Sequence, residues 1–293
     1  MAADFLHFIW YINKKCVPLH AKNIQNLRMI YYFSGTGNTG WLATQIANQL
    51  NIKAIDICSM AGESIGNTAS SALAPNEPVG FAFPIHGWQP PHIVRRFVRS
   101  LPHSIFAGRY VFTVCTCGDE TGLAMDIFAK ELSRRGMKLN FAVSVQMPNT
   151  YVCLPFMDID SKELEDRKIM AAENQIPKIA EQIRNREDGE YLTKGTAPWL
   201  LTYVIGEYFN RRMVNDKKLK VDLAECAHCG RCRRVCPVGN IVDSGLMSEF
   251  TPKWKRDGSC TGCLACYHGC LKHGITCGDI TRKRGQYFFK IRN

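Results

Sequence analysis

The chain has 293 residues, of which 46% are hydrophobic and 22% charged, with a formal net charge of +11. That length holds two domains, each with its own core, and the composition is that of an ordinary soluble globular protein. No apolar run approaches the roughly 20 residues that span a bilayer, which excludes an integral membrane helix.

The chain opens on the apolar run FLHFIWYI at 5–12, too short to span. It has no basic residues before it and no small-residue cleavage site after it, so it does not read as a secretory signal. Residues 1–28 are expected to be an N-terminal extension without an assigned role, and the protein to be cytoplasmic. In that reducing compartment fourteen cysteines point to metal or cluster ligation rather than disulfides.

Residues 29–33 (MIYYF) form a short apolar strand, followed by SGTGNTG and then a helix with Leu42, Ile46 and Leu50 on one face. Strand, glycine-rich loop and helix make a phosphate cradle, because backbone N–H groups and the helix N-terminus face the anion. Gly35, Gly37 and Gly40 also satisfy G-x-G-x-x-G, with Asp56 about 20 residues on, as in a dinucleotide-binding Rossmann unit. Against that rival, Ser34, Thr36, Asn38 and Thr39 crowd the loop with hydrogen-bonding side chains suited to a terminal phosphate. The run SGTGNT moreover resembles the FMN phosphate loop of the flavodoxin family.

Further elements alternate as in a doubly wound domain. Strands are expected at 52–57, 78–83, 109–115 and 139–147, and helices at 92–101, 121–135 and 161–186. Together with the first strand this predicts an α/β fold, a flavodoxin-like five-stranded parallel sheet over 29–190. Ligand then lies at the carboxyl ends of the strands. The loops there are Pro84-Ile85-His86-Gly87-Trp88 and Thr116-Cys117-Gly118-Asp119, with the MPNTY segment at 147–151 beside them. Trp88 is the candidate to stack on a flavin ring, its rival role being plain core. Gly118 would let the backbone approach, and the resemblance puts Asp119 near the pyrimidine edge. His86 is the weak candidate for a catalytic proton donor. Cys117 is a thiol to weigh against simple burial.

A small polar stretch at 189–197 marks a boundary. The amphipathic run PWLLTYVIGEYFNRRM at 198–213 reads as a linker helix within 191–220. Residues 221–293 follow as a small α+β, two-cluster ferredoxin-like domain. Cys226, Cys229, Cys232 and Cys236 with Pro237 give C-x2-C-x2-C-x3-C-P, and Cys260, Cys263, Cys266 and Cys270 repeat the spacing. Three cysteines at i, i+3 and i+6 wrap one cubane, while the fourth ligates the other cluster. One [4Fe–4S] cluster is thus assigned to Cys226, Cys229, Cys232 and Cys270, the other to Cys260, Cys263, Cys266 and Cys236. Structural zinc would instead draw paired ligands from two separated knuckles. The second motif departs from the pattern in having Leu271 where a proline is usual. His228 and His268 read as spacers, and Cys277 as a small buried residue.

Residues 194–293 hold 18 Lys and Arg against 8 Asp and Glu, so nearly all the net charge lies in this last third. Two clusters with their thiolates would lower it to about +6. No nucleic-acid module accompanies the basic residues, so nucleic acid is not expected. An acidic redox protein of ferredoxin or flavodoxin type, or a reductase, docked by electrostatic steering, is the expected partner, beside the plain reading of a solvated face.

Over 29–293 the chain resembles the flavodoxin–ferredoxin fusion proteins of anaerobes. The resemblance rests on YFSGTGNT, CTCGD, MPNTY, CAHCGRCRRVCPVGNI and CTGCLACYHGC. It implies FMN, two [4Fe–4S] clusters and electron transfer between them. Two function classes stay open: an electron carrier between protein partners, and an FMN-dependent reductase of a small molecule fed by the clusters. Either would be an oxidoreductase chemistry.

Overall fold

The computed structural model describes residues 29–60, 77–102, 108–245 and 248–289. The extension at 1–28 lies outside the described residues.

Strands β1 (Met29–Tyr32), β2 (Lys53–Asp56), β3 (Val79–Pro84), β4 (Val111–Cys117), β5 (Leu139–Gln146) and β6 (Gly189–Tyr191) form one sheet. Their order is β2-β1-β3-β4-β5-β6 and every pairing is parallel. The first five follow the flavodoxin-like order, whose ligand site lies where the strand order reverses between β1 and β3. The sixth strand corrects the five-stranded expectation: the polar residues GEY pair with Phe141, Ala142 and Val143 of β5. Three residues on a sheet edge need no apolar run, so hydrophobic patterning passes over them.

Both faces are covered, as a parallel sheet requires. Helix α1 (Asn38–Leu50) and the long α4 (Lys162–Arg184) cover one face, against Ile30, Ala82, Phe112, Val114 and Phe141. Helices α2 (His92–Ser100) and α3 (Ala124–Ser133) cover the other, against Met29, Tyr31, Phe81, Phe83 and Cys115. Consecutive residues of β1 therefore enter opposite cores, the period of two of a pleated strand. Gly80 is required by packing, since a Cβ there would stand 2.4 Å from the Phe112 ring. Ser161 caps α4 by accepting from the Leu164 amide. The Glu131 carboxylate of α3 is buried and gathers Arg95, Arg99 and Arg134.

A connecting helix over 198–212, with a π-turn at Leu201–Ile205, docks on the loops after β3 and β4. Gly206 allows this, for a Cβ there would meet the Gly87 carbonyl at 2.4 Å. Thr202 Oγ1 accepts from the Leu123 amide, and the Asn210 amide donates to the His86 and Gly206 carbonyls.

The last third holds two antiparallel ribbons, β7 (Leu219–Val221) with β10 (Ile275–Cys277) and β8 (Ile241–Asp243) with β9 (Pro252–Trp254). Helices α5 (Arg231–Val235) and α6 (Ala265–His268) are single turns inside the two cysteine motifs. The motifs share a backbone signature. The residues on both sides of the second cysteine have positive φ: His228 and Gly230 around Cys229, Gly262 and Leu264 around Cys263. Such left-handed residues turn amides toward a common centre, the geometry of anion and Fe–S concavities.

Candidate functional site

The carboxyl ends of β1, β3, β4 and β5 open into a cleft. Ser34, Gly35, Thr36, Asn38 and Thr39 line it from the β1–α1 loop. Pro84, Ile85, His86 and Gly87 follow β3, Thr116, Cys117 and Gly118 belong to β4 and its loop, and residues 147–151 follow β5. The first amides of α1 have no partner within their helix, and the N-cap Gly37 is left-handed at φ 106. A Gly37 Cβ would also strike Phe289 at 2.8 Å, so the loop is held open and covered by one glycine. Among the described residues the lining contains no Lys, Arg, Asp or Glu. An anion there would be met by backbone dipoles and hydroxyls, the donor set of a helix N-terminus.

Three residues assigned to this site by sequence do not line it. Trp88 is one. His86 and Gln89 exchange backbone hydrogen bonds across Gly87 and Trp88, both with positive φ. This mirror-image turn swings the indole away from the cleft, toward Gly122, where its N–H donates to Glu120 at 3.0 Å. Asp119 is the second. Its carboxylate is 80% exposed and stands 3.7 Å from Lys168. Gly37 is the third, turned toward Phe289. Asn38 lines the cleft, but its side chain is committed elsewhere: it donates to the Pro148 carbonyl and accepts from the Tyr287 hydroxyl.

Charge states in the cleft follow from burial. His86 is pushed down to about 4 by burial and by His92, partly offset by its hydrogen bond to the Thr261 carbonyl, so it is neutral at pH 7. Cys117 is pushed up to about 12 by burial, with Asp119 adding to it, so it is a thiol rather than a nucleophilic thiolate.

Sequence reasoning assigned no residue to one wall. Gly262, Cys263 and Leu264 of the second cysteine motif line the cleft, as does Phe209 of the connecting helix. Phe209 packs edge-on to Tyr151 at 4.9 Å. The approach at Cys263 is as close as backbone permits, for a Cβ on Gly35 would sit 2.6 Å from the Cys263 Cβ. Residues 285–289 return over the phosphate loop as well, where the Phe289 amide donates to the Thr36 carbonyl at 2.8 Å. His268, read from sequence as a spacer, bridges the units: it bonds the Thr150 carbonyl at 2.7 Å and accepts from the Tyr287 amide.

The eight motif cysteines fall into two groups. The Cys232 thiol feels Cys270, Cys229 and Cys226, and Cys229 is exposed. Cys266 feels Cys263, Cys236 and Cys260. Each group takes its fourth member from the other motif. The second lines one pocket together with Leu219, Ile241 and Trp254. Two buried donors there have no partner besides facing sulfur: Trp254 Nε1 points to Cys266 and Thr261 Oγ1 to Cys263. The Asn240 and Gly262 amides donate to Cys236 and Cys260 sulfurs at 3.2 and 3.4 Å. Four sulfurs, four donors and an apolar lining fit an iron–sulfur cubane, whose thiolates accept such bonds. Among the described residues no three His, Cys, Asp or Glu side chains are gathered tightly enough for a single metal ion.

Residues 209–275 match the 4Fe-4S dicluster domain family. The chain is similar in part to the Trp repressor binding protein of Bacillus subtilis, at 14% identity over 51% of this chain and 96% of that one, with a TM-score of 0.37. It is likewise similar to Megasphaera elsdenii flavodoxin, at 18% identity over 50% and 98% of the two chains, TM-score 0.32. A flavodoxin, WrbA-like protein of Agrobacterium tumefaciens aligns at 14% identity over 54% and 98%, TM-score 0.32. No curated protein matches the chain. No helix among the described residues is long and apolar enough to cross a membrane.

Proposed function

We propose that this chain, a flavodoxin-like α/β unit joined to a 4Fe–4S dicluster segment, is an iron–sulfur flavoprotein that passes electrons between two [4Fe–4S] clusters and FMN. One observation carries the reading: Cys263 lines both the cleft at the sheet's carboxyl edge and the cysteine-walled cavity. A cysteine shared by two cofactor sites leaves no intervening side chain between them.

In this reading Cys260, Cys263, Cys266 and Cys236 hold the inner cluster, and Cys226, Cys229, Cys232 and Cys270 the outer one. The loop at 34–39 binds the FMN phosphate through amides and hydroxyls. The loops at 84–87 and 116–118, with Tyr151 as the aromatic wall in place of Trp88, hold the ring. Clusters exchange single electrons, whereas flavin takes one or two. Cys229 is exposed beside Arg233 and Arg234. An acidic electron-transfer protein docking on that basic face is the partner we favour. His86, Asn149 and Tyr151 on the cleft wall keep a small-molecule reductase as the second reading. In it, a neutral His86 orients substrate by hydrogen bonding.

The test is iron, sulfide and flavin content after anaerobic purification, for the wild type and for Cys263→Ala. About eight iron, eight sulfide and one FMN are expected in the wild type, falling to about four iron with FMN retained in the variant. Flavin reduction by a one-electron donor should then slow sharply. Zinc in place of iron, or NAD in place of FMN, overturns the proposal.

A further inference from the structure

Residues 285–289 close a ring of hydrogen bonds between the phosphate loop and the second cysteine motif. The Tyr287 hydroxyl donates to Asn38 Oδ1 at 2.7 Å, and the Asn38 amide donates to the Pro148 carbonyl at 3.0 Å. The Tyr287 backbone amide donates to His268 Nδ1 at 3.1 Å. That puts the ring proton on Nε2, which donates to the Thr150 carbonyl at 2.7 Å. Asn38, His268 and Tyr287 are all buried. Two residues on, the Phe289 amide donates to the Thr36 carbonyl at 2.8 Å, and its ring lies 5.1 Å from that of Trp41.

The same segment is fastened to the cysteine motif. The Gln286 side-chain amide donates to the Tyr267 and Cys270 carbonyls. Neighbouring residues therefore hold two units of the chain, Gln286 the motif and Tyr287 and Phe289 the loop. None of residues 286–289 lines the cleft, so they reach a bound anion only through the loop they hold. That loop needs holding. It carries glycine at 35, 37 and 40, and glycine loses more conformational freedom on ordering than any other residue. Its anion donors are amides, whose directions follow the backbone. Fixing them before the ligand arrives removes part of the ordering cost from binding.

Building on the FMN and cluster assignment, we propose that residues 286–289 are a clasp by which the second cysteine motif positions the flavin phosphate loop. Gln286 and Tyr287 are positioning residues at its two ends. Their effect falls on the phosphate of the flavin rather than on its ring. The site for a phosphate-bearing flavin is complete only when both units of the chain are docked, and by linkage a bound flavin steadies the motif in return.

The experiment titrates FMN and riboflavin, followed by flavin fluorescence, into the cluster-loaded full chain freed of flavin. Wild type, Tyr287→Phe, Gln286→Ala and the double variant are compared, with iron content measured on the same samples. Tyr287→Phe should weaken FMN binding about three- to tenfold, the worth of one neutral hydrogen bond, and riboflavin, which lacks the phosphate, less than about twofold. Gln286→Ala should act alike, although its side chain bonds the motif and not the loop. The double variant should bind FMN no more weakly than the weaker single one, because both changes cut the same clasp. Iron should stay at the wild-type level throughout. Unchanged FMN affinity in Tyr287→Phe, equal losses for FMN and riboflavin, or additive losses in the double variant overturn the clasp and leave the flavin site standing. A wild type that binds neither flavin overturns the flavin assignment itself, and the clasp with it.

Discussion

Gly35→Ala is the most searching single perturbation, because it adds one methyl where the two halves of the chain touch. The new Cβ would stand 2.6 Å from the Cys263 Cβ and 3.3 Å from both its carbonyl oxygen and its sulfur. Carbon atoms pack at about 3.5–4.0 Å, so one side must retreat by roughly 1 Å. Neither side is a free side-chain end: one is the phosphate loop, the other the backbone of a cysteine motif. Overpacking of this kind costs about 1–3 kcal/mol. For a chain of this size that lowers the melting temperature by roughly 3–10 °C. Gly35 does not have a positive φ, so the cost is steric rather than conformational. The assay is thermal unfolding followed separately by flavin fluorescence and by cluster absorbance. Loss of both signals should move down together, because the clash lies between the two sites. Gly40→Ala is the internal comparison: it lies within α1, with its nearest neighbour at 3.3 Å, and alanine favours helix by about 1 kcal/mol. Its melting temperature should stay within a few degrees of wild type. Unchanged stability and cofactor content in Gly35→Ala would refute the contact and, with it, the proposed short path between the cofactors.

The Glu131 carboxyl is held at about 2, below its usual 4.5, first by hydrogen bonding from Arg99 and then from Arg95. A depressed carboxyl stabilises the fold above its unfolded pKa, so this contribution should be lost as pH falls from about 4.5 to about 2. At neutral pH Glu131→Gln should cost about 3 kcal/mol, measured by urea unfolding, and flatten that acid limb. Asn210→Ala removes the amide that holds the His86 and Gly206 carbonyls, and should cost about 1–3 kcal/mol while loosening the connecting helix to proteolysis. Tyr287→Phe removes the hydroxyl bonded to Asn38 and should cost about 1 kcal/mol, with earlier amide exchange in residues 285–289.

Sequence by itself determined the parts whose signals are local. Apolar runs of period two and helical runs of period 3.6 place the first five strands and the helices α1 to α4, because each element announces which face it buries. The doubled spacing of eight cysteines is the local pattern on which the two proposed ligand sets rest, because a loop of that length can wrap a cluster in few ways. The glycines and hydroxyls at 34–40 announce an anion cradle for the same local reason.

Tertiary structure alone decided what meets across the chain. Trp88 reads as a ring-stacking residue until a mirror-image turn points it at Glu120. Asp119 reads as a site residue until it is found in solvent. β6 carries no apolar pattern because a three-residue edge strand buries almost nothing. The placing of Cys263 against Gly35 and of Phe289 over Gly37 arises from surfaces more than two hundred residues apart. Such contacts follow from how complete units dock, and docking leaves no period, spacing or propensity in either segment alone. The cysteines declare their chemistry in sequence; which of them faces the flavin-type cleft is a property of the folded chain.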